Sequence, residues 1–400
     1  MISERWSNLW SRRVRGRVGR FPRPDSIIRF DGTGVIPDLL SPYGWEVARR
    51  SGVIDLTELN RLDPRRNPDR FRRVVQGRWA VVQSGQPPDD RGQFLLRCAQ
   101  AVGTPVLSGA EADRLRSGHE AWQQESFRQW STVFDRHRLF PSWTSMGRPS
   151  VSVVLPSYRP ENIDLWASIL GAQSFRPLQV VVGCHGSAWT TSHIDRVVGQ
   201  LREADVDVQA VEVDECASLG EVLAAASERA DGDVVVKWDD DDLYSSTHLI
   251  DLLRARHYSG ATIVGKSSDF VYVQSADVTV RRVQAPREIF SPTLSGSTLT
   301  IARDDLREVG GWAPLAEAED VDLITRVRRA GGSTYRTVGF GFLVIRKSSA
   351  VAHTWNPGDD VFLTPGNPQR PGLDTDWAMI DLPAEVIRRA VSDDPDGRRN

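Results

Sequence analysis

Residues 151–158 read VSVVLPSY, an almost unbroken β-branched and aliphatic run. Such a run suits a strand buried on both faces of a parallel sheet, because a strand with one wet face would alternate. ENIDLWASILGAQ at 161–173 spaces its apolar residues as a helix does, and LQVVVGCHGS at 178–187 repeats the strand pattern. A helix over 192–204, the strand VDVQAVEV at 206–213, a helix over 218–230 and the strand DVVVKW at 233–238 continue the alternation. This spacing predicts βαβ units in an open, mainly parallel α/β sheet. Ligands of such sheets sit beyond the carboxyl ends of the strands. The residues after Leu155, Val182 and Trp238 are therefore where chemistry is expected.

After Trp238 come four consecutive carboxylates, Asp239, Asp240, Asp241 and Asp242. They repel one another unless a cation or hydrogen-bond donors compensate. A hard divalent ion takes one or two carboxylates together with the oxygens of a diphosphate. Asp239 and Asp241 would face the same side if the chain stays extended. Most aspartate runs end as solvated loops, but this one follows a buried-looking strand. An EF-hand is a poor alternative, since Tyr244 and Ile250 occupy the positions of its glycine and final glutamate. A phosphatase with a nucleophilic aspartate remains open at this point.

The rest of the chain sets the context. The protein has 400 residues and a formal charge of −3. That small figure hides a split of +9 over residues 1–150 and −12 over 151–400. Of the 50 basic residues only Lys237, Lys266 and Lys347 are lysines, which reads as codon bias. A hydrophobic share of 40% with 26% charged residues is that of a globular protein and excludes global disorder. Cys98, Cys184 and Cys216 are too scattered for a disulfide framework or zinc cluster and fit a reducing cytosol. No apolar run approaches the roughly 18–20 residues that span a bilayer.

Residues 1–24 form a basic, tryptophan-containing arm, expected to be flexible. It reads either as a solvated tail or as a contact with an anionic membrane surface; no nucleic acid is expected. Residues 25–145 carry a strand at 78–83, a helix at 92–103 and a strand at 104–108, an α/β accessory region of unassigned role. EAWQQESFRQWSTVFDRH at 120–137 reads as a connecting amphipathic helix, and PSWTSMGRPS at 141–150 as a boundary.

From residue 150 to about 355 the motifs fall in an order that resembles the family 2 glycosyltransferases of the GT-A fold. SVVLPSYRPE (152–161) is similar to the family's first strand and nucleotide-binding turn, and LWASILGAQSFRPLQVVV (165–182) to its helix and second strand. ADGDVVVKWDDDDLY (230–244) resembles the Asp-x-Asp-Asp motif, GSTLTIARDDLREVGGW (296–312) the acceptor-side segment, and AEDVDLITRVRRAGG (318–332) the helix with the catalytic base. The resemblance implies a GT-A type, Rossmann-like α/β domain over 150–356, with 357–400 as a C-terminal extension. It implies sugar transfer from a nucleotide-sugar donor to an acceptor hydroxyl, with inversion and with Mn2+ or Mg2+. The acceptor is expected to be a glycan, a lipid-linked or a small molecule, in cell-surface glycan or glycoconjugate synthesis. The expected location is the cytoplasm, with peripheral contact at the inner face of the plasma membrane.

Roles follow by the same resemblance. Asp241 is the metal ligand, Asp239 contacts the donor ribose or the metal, Asp242 is a sugar or outer contact, and Asp240 is the dispensable member. Asp320 is the base, paired with Glu319. Pro156, Ser157 and Tyr158 line the nucleobase pocket, and Gly296 and Ser297 lie near the sugar and acceptor. Trp312 and Trp355 offer rings for a sugar, and His353 completes the metal site. One departure stands out: His185 occupies the place of the family's base-contacting carboxylate, which removes the ground for assigning a uridine nucleotide. Nucleotidyl transfer would call for a glycine-rich loop after the first strand, which PSYRPEN (156–162) lacks; a binding domain without turnover is the non-enzymatic alternative.

Overall fold

The computed structural model describes residues 52–83, 87–116, 119–136, 149–283, 286–348 and 358–392. The basic arm, His353 and Trp355 lie outside the described residues. The described residues divide into two compact units, one over 52–136 together with 258–260 and one over 149–257 and 261–392.

The first unit contains a parallel sheet of three short strands, β1 (Ile54–Asp55), β2 (Val81–Val82) and β3 (Val106–Leu107). Helix Asp90–Ala101 connects β2 to β3, starting where the Asp89 carboxylate accepts the Gly92 N–H at 2.7 Å. That side-chain cap satisfies a donor the first turn leaves unpaired. Trp122, on helix His119–Arg136, is fully buried and donates its indole N–H to the Trp79 carbonyl at 2.6 Å. The sequence reading located β2, β3 and the helix between them; β1, where a single buried Ile54 precedes the exposed Asp55, gave no apolar run to read.

The second unit is built on an eight-stranded sheet. Four strands come first in the chain: β4 (Val151–Ser157), β5 (Leu178–His185), β6 (Asp207–Val213) and β7 (Val234–Lys237). Then follow β8 (Leu243–Tyr244), β9 (Ile263–Lys266), β10 (Phe270–Val273), β11 (Val278–Arg281), β12 (Ile289–Phe290), β13 (Thr300–Ala302), β14 (Thr334–Thr337), β15 (Phe342–Arg346) and β16 (Gln369–Pro371). The large sheet has the order β12-β14-β9-β13-β7-β4-β5-β6. Six of its strands share one direction, and β12 and β13 oppose them. The fold is thus mixed α/β with a largely parallel, Rossmann-like sheet.

The β-branched runs are buried as their composition requires: Val153, Val154, Leu155, Val180, Val181 and Val182 are all 0% exposed. Helix Leu219–Glu228 packs on this face, begun by a reciprocal cap between Ser218 and Glu221. Its close approach depends on Gly183, where a Cβ would stand 2.5 Å from Val222 Cγ1. β13 runs antiparallel between β7 and β9, with Thr300 opposite Val236 and Ala302 opposite Val234. Its first residues therefore arrive at the edge where β4 and β7 end.

A second sheet, ordered β16-β11-β10-β15-β8, stands beside the carboxylates, since β8 begins directly after Asp242. β16 and the buried Trp377 both come from the stretch read in sequence as a C-terminal extension. The described part of that stretch packs on the second unit, with Phe362 joining Val271, Val273 and Val280 and the Trp377 ring lying edge-on to Phe270.

Candidate active site

The carboxyl ends of β4 and β7 bring Ser157, Arg159 and the four aspartates together. The chain turns at 240–242 instead of staying extended, so the four carboxylates point to different partners. Asp240 is 2% exposed and accepts from the Ser157 hydroxyl at 2.5 Å and from the Arg159 guanidinium. The same guanidinium reaches Asp241 Oδ2 at 2.9 Å. Asp239 takes the Lys237 ammonium at 2.9 Å, while its backbone N–H donates to the Tyr244 hydroxyl at 3.1 Å. Asp242 accepts the Ile345 N–H at 3.1 Å and so fastens β15 to the turn.

Asp240, the expected dispensable member, is the most enclosed of the four and the anchor for Arg159. Asp242, expected near the sugar, spends one oxygen on the backbone of β15. Burial pushes Asp240 up to about 6, against the opposing pull of Arg159. Burial, then the charge of Asp241, holds Asp242 well above the ordinary carboxylate range.

Across the site lies helix Glu319–Arg329, entered through Ala318 at φ 61°. A left-handed conformation is costly for a residue with a Cβ and is typical of positions that aim a functional group. Glu319 is 3% exposed, and its carboxylate meets the Lys237 ammonium at 3.4 Å. Burial pushes Glu319 up, partly offset by Lys237. For Lys237, burial favours loss of the proton, but Asp239 and Glu319 together win and its affinity for the proton rises. One buried ammonium therefore joins the aspartate turn to the helix. Asp320, partly exposed, sits against Gly296, whose missing Cβ would otherwise be 2.2 Å from Asp320 Oδ2. Gly296 and the buried Ser297 belong to the 3-10 turn Gly296–Thr298 that leads into β13.

On the β4–β5 side, the Ser157 carbonyl accepts the Trp189 indole N–H at 2.7 Å. Tyr158 is 42% exposed, with the Arg159 guanidinium 4.8 Å from its ring centre, and Pro156 precedes them on the strand. His185 closes β5, and its Nε2 is buried with no hydrogen-bond partner among the described residues. Trp312 does not stand open for a sugar. It is 5% exposed, packs with Leu223, Leu306 and Ile324, and donates its indole N–H to Ser227 Oγ at 2.9 Å.

Sequence reasoning missed both cations. Arg159 was one arginine among 47. Lys237 carried a usable signal: one of three lysines, it lies in an otherwise apolar strand. No cluster of three or more His, Cys, Asp or Glu side chains is set for a metal among the described residues, and no described helix is long and apolar enough to cross a membrane.

No protein-family model and no curated protein matches the sequence. Among solved structures, the chain is similar to a mannosyltransferase from Pyrobaculum calidifontis in complex with GDP-Man and Mn2+, at 19% identity and TM-score 0.38 over 49% of this chain and 56% of that one. It is also similar to S. aureus TarS 1-349, at 18% identity and TM-score 0.37 over 49% of this chain and 60% of that one. A complex of that TarS fragment with UDP-GlcNAc matches at 18% identity and TM-score 0.37, over 50% of this chain and 59% of that one. The chain thus spans less than two thirds of each of these proteins. Overlaps this partial leave the function to be read from the chain's own residues.

Proposed function

We propose that the second unit is a metal-dependent, inverting glycosyltransferase moving a sugar from a nucleotide-sugar donor to an acceptor hydroxyl. The observation that carries this reading is the Lys237 bridge. It draws the aspartate turn after β7 and the Glu319–Asp320 helix start onto one strand-end edge, where the ordered motifs require donor and base to meet.

The donor set suits a hard cation. Among these carboxylates Asp240 and Asp241 meet Arg159 while Asp239 and Glu319 meet Lys237, and burial already raises the proton affinity of Asp240, Asp242 and Glu319. Mg2+ or Mn2+ needs one or two carboxylates, with phosphate and water oxygens completing its shell. Asp241 and Asp239 would hold it, with His353 as a further nitrogen ligand. When bound, the ion supplies Lewis-acid neutralisation of the charge that develops on the leaving diphosphate.

The chain's own groups do the rest. Ser157, Tyr158 and His185 receive the nucleoside, with the exposed phenol ring available for stacking and the His185 imidazole for a base edge. Asp320 takes the proton of the attacking hydroxyl, in a space that Gly296 keeps free of a side chain. Lys237 holds Glu319 away from that proton. The acceptor is a glycan, lipid-linked or small-molecule hydroxyl in cell-surface glycan synthesis on the cytoplasmic side, where residues 1–24 would meet an anionic membrane surface. Hydrolysis of a nucleotide-sugar panel with and without Mn2+ tests the reading. Release of an inverted sugar from one donor, only with metal, is expected; no donor bound or hydrolysed in metal refutes it.

A further inference from the structure

The Tyr244 hydroxyl is a single buried oxygen held by two turns of the site. It accepts the Asp239 N–H at 3.1 Å and donates to the Ser297 carbonyl at 3.4 Å. A phenol oxygen donates and accepts at once, so both bonds are made together. Asp239 opens the carboxylate turn, and Ser297 follows Gly296, the glycine set against Asp320. The sheet ties these segments one step earlier, where the Lys237 N–H bonds the Leu299 carbonyl at 2.9 Å. Asp239 and Ser297 have left that ladder, and the phenol oxygen bonds them across the gap. Its own place is fixed from the core: the ring lies 3.9 Å from Trp238, 4.8 Å from His248 and 5.2 Å from Phe342, centre to centre. Tyr244, Trp238, His248 and Phe342 are all 0% exposed. A phenylalanine ring would fill this cluster as well, so packing does not call for the hydroxyl.

We infer that Tyr244 is a positioning residue, whose hydroxyl sets the spacing between the Asp239 turn and the Gly296–Thr298 turn. On the glycosyltransferase reading, on which this rests, that spacing is the one between donor and base. Lys237 makes a second tie from the same aspartate, but through side chains and toward Glu319. The hydroxyl acts on backbone and toward Gly296. Without it, the Asp239 N–H and the Ser297 carbonyl lose a shared partner, and the two turns can shift apart. Metal and nucleotide keep their own ligands on the carboxylate turn. The base no longer stands at reacting distance, so the loss falls on transfer and not on binding.

The test is Tyr244→Phe in the full-length protein. The first measurement is kcat and KM for Mn2+-dependent hydrolysis of the nucleotide sugar that the panel identifies. The others are Mn2+ affinity, from the loss of the free-ion electron paramagnetic resonance signal, and affinity for GDP and UDP by isothermal titration. kcat is expected to fall by about tenfold or more, with KM, Mn2+ affinity and nucleotide affinity within about twofold of the wild type. Phe342→Leu loosens the same ring cluster and keeps the hydroxyl. Its Tm should fall while kcat stays within about twofold at a temperature where it is folded. If Tyr244→Phe is too unstable to assay, it is compared with the wild type and Phe342→Leu in trimethylamine N-oxide, which strengthens burial. An unchanged kcat in Tyr244→Phe overturns the inference, since a hydroxyl that only satisfies buried backbone would lower Tm alone. An equal loss of nucleotide or metal affinity, or an equal fall in kcat for Phe342→Leu, overturns it too. Each of these results leaves the glycosyltransferase reading standing. A wild type that hydrolyses no donor and binds neither Mn2+ nor nucleotide overturns both.

Discussion

Gly296→Ala isolates the placement of the proposed base from the stability of the fold. A Cβ at 296 would stand 2.2 Å from Asp320 Oδ2, 2.9 Å from its Cγ and 3.3 Å from its Cβ. Ordinary contact is near 3.5 Å, so the carboxylate oxygen must withdraw by about 1 Å. Asp320 is partly exposed and the clash is with the end of a rotatable side chain, so the protein yields cheaply there. Gly296 has no left-handed φ to lose. Stability should change by less than about 1 kcal/mol, within the range of ordinary surface substitutions. Catalysis should suffer far more: a displacement of about 1 Å in a positioned group can cost about 100-fold, or roughly 2.7 kcal/mol of barrier. The assay is steady-state transfer with the donor identified by the panel, alongside titration of the nucleotide product and a thermal melt. The expected pattern is a large fall in kcat with nucleotide affinity and Tm nearly unchanged. An unchanged kcat would refute the base role at this position, and an equal loss of nucleotide affinity would move Asp320 into the donor site.

Other perturbations read different contacts. Gly220→Ala would put a Cβ 1.7 Å from the Ala313 carbonyl oxygen and 2.9 Å from Leu315 N, both backbone atoms. The urea midpoint should therefore drop by the equivalent of about 3 kcal/mol, and a change under 1 kcal/mol would contradict the packing described. Lys237→Met should destabilise by about 3–5 kcal/mol by stranding buried Glu319 beside Asp239. Without the ammonium, burial and the neighbouring Asp320 push Glu319 further up against its backbone hydrogen bond alone, so the folded state holds the proton more tightly than the unfolded chain. Stability must then fall as pH rises above the ordinary glutamate range, more steeply than in the wild type; parallel urea melts that show equal slopes would rule this out. Asp241→Asn should abolish metal-dependent donor binding, whereas Asp320→Asn should retain binding and lose transfer. Isothermal titration with the donor separates the two, and matching behaviour would undo the division of roles.

The parallel half of the large sheet was legible because β4, β5 and β7 are buried on both faces and so leave uninterrupted apolar runs. β13 was not, since three residues carry no period and nothing local marks a reversal of direction. β16 was missed for a related reason: Gln369–Pro371 is exposed and polar, and its pairing with β11 is decided by distant residues. At the site, acidic residues were readable as a run and a helix start, whereas their assignment to partners was not. Which aspartate meets Arg159 depends on the turn at 240–242, and adjacency in sequence says nothing about that geometry. Trp312 illustrates the same limit, because a tryptophan beside glycines reads alike whether its ring faces sugar or core.

The reversed strand β13 has a practical corollary. Because it enters the sheet at the edge where β4 and β7 leave it, its own exit lies on the opposite rim. There Arg303 N–H bonds the Asp233 carbonyl, and the Asp233 carboxylate accepts from Ser150. The second unit thus has one rim for chemistry and one for fastening. A fluorophore or surface tether attached beside Asp304 should ride on the fastening rim and leave the carboxylate rim open. For a protein whose donor is still to be identified, that is the side by which to immobilise it for screening.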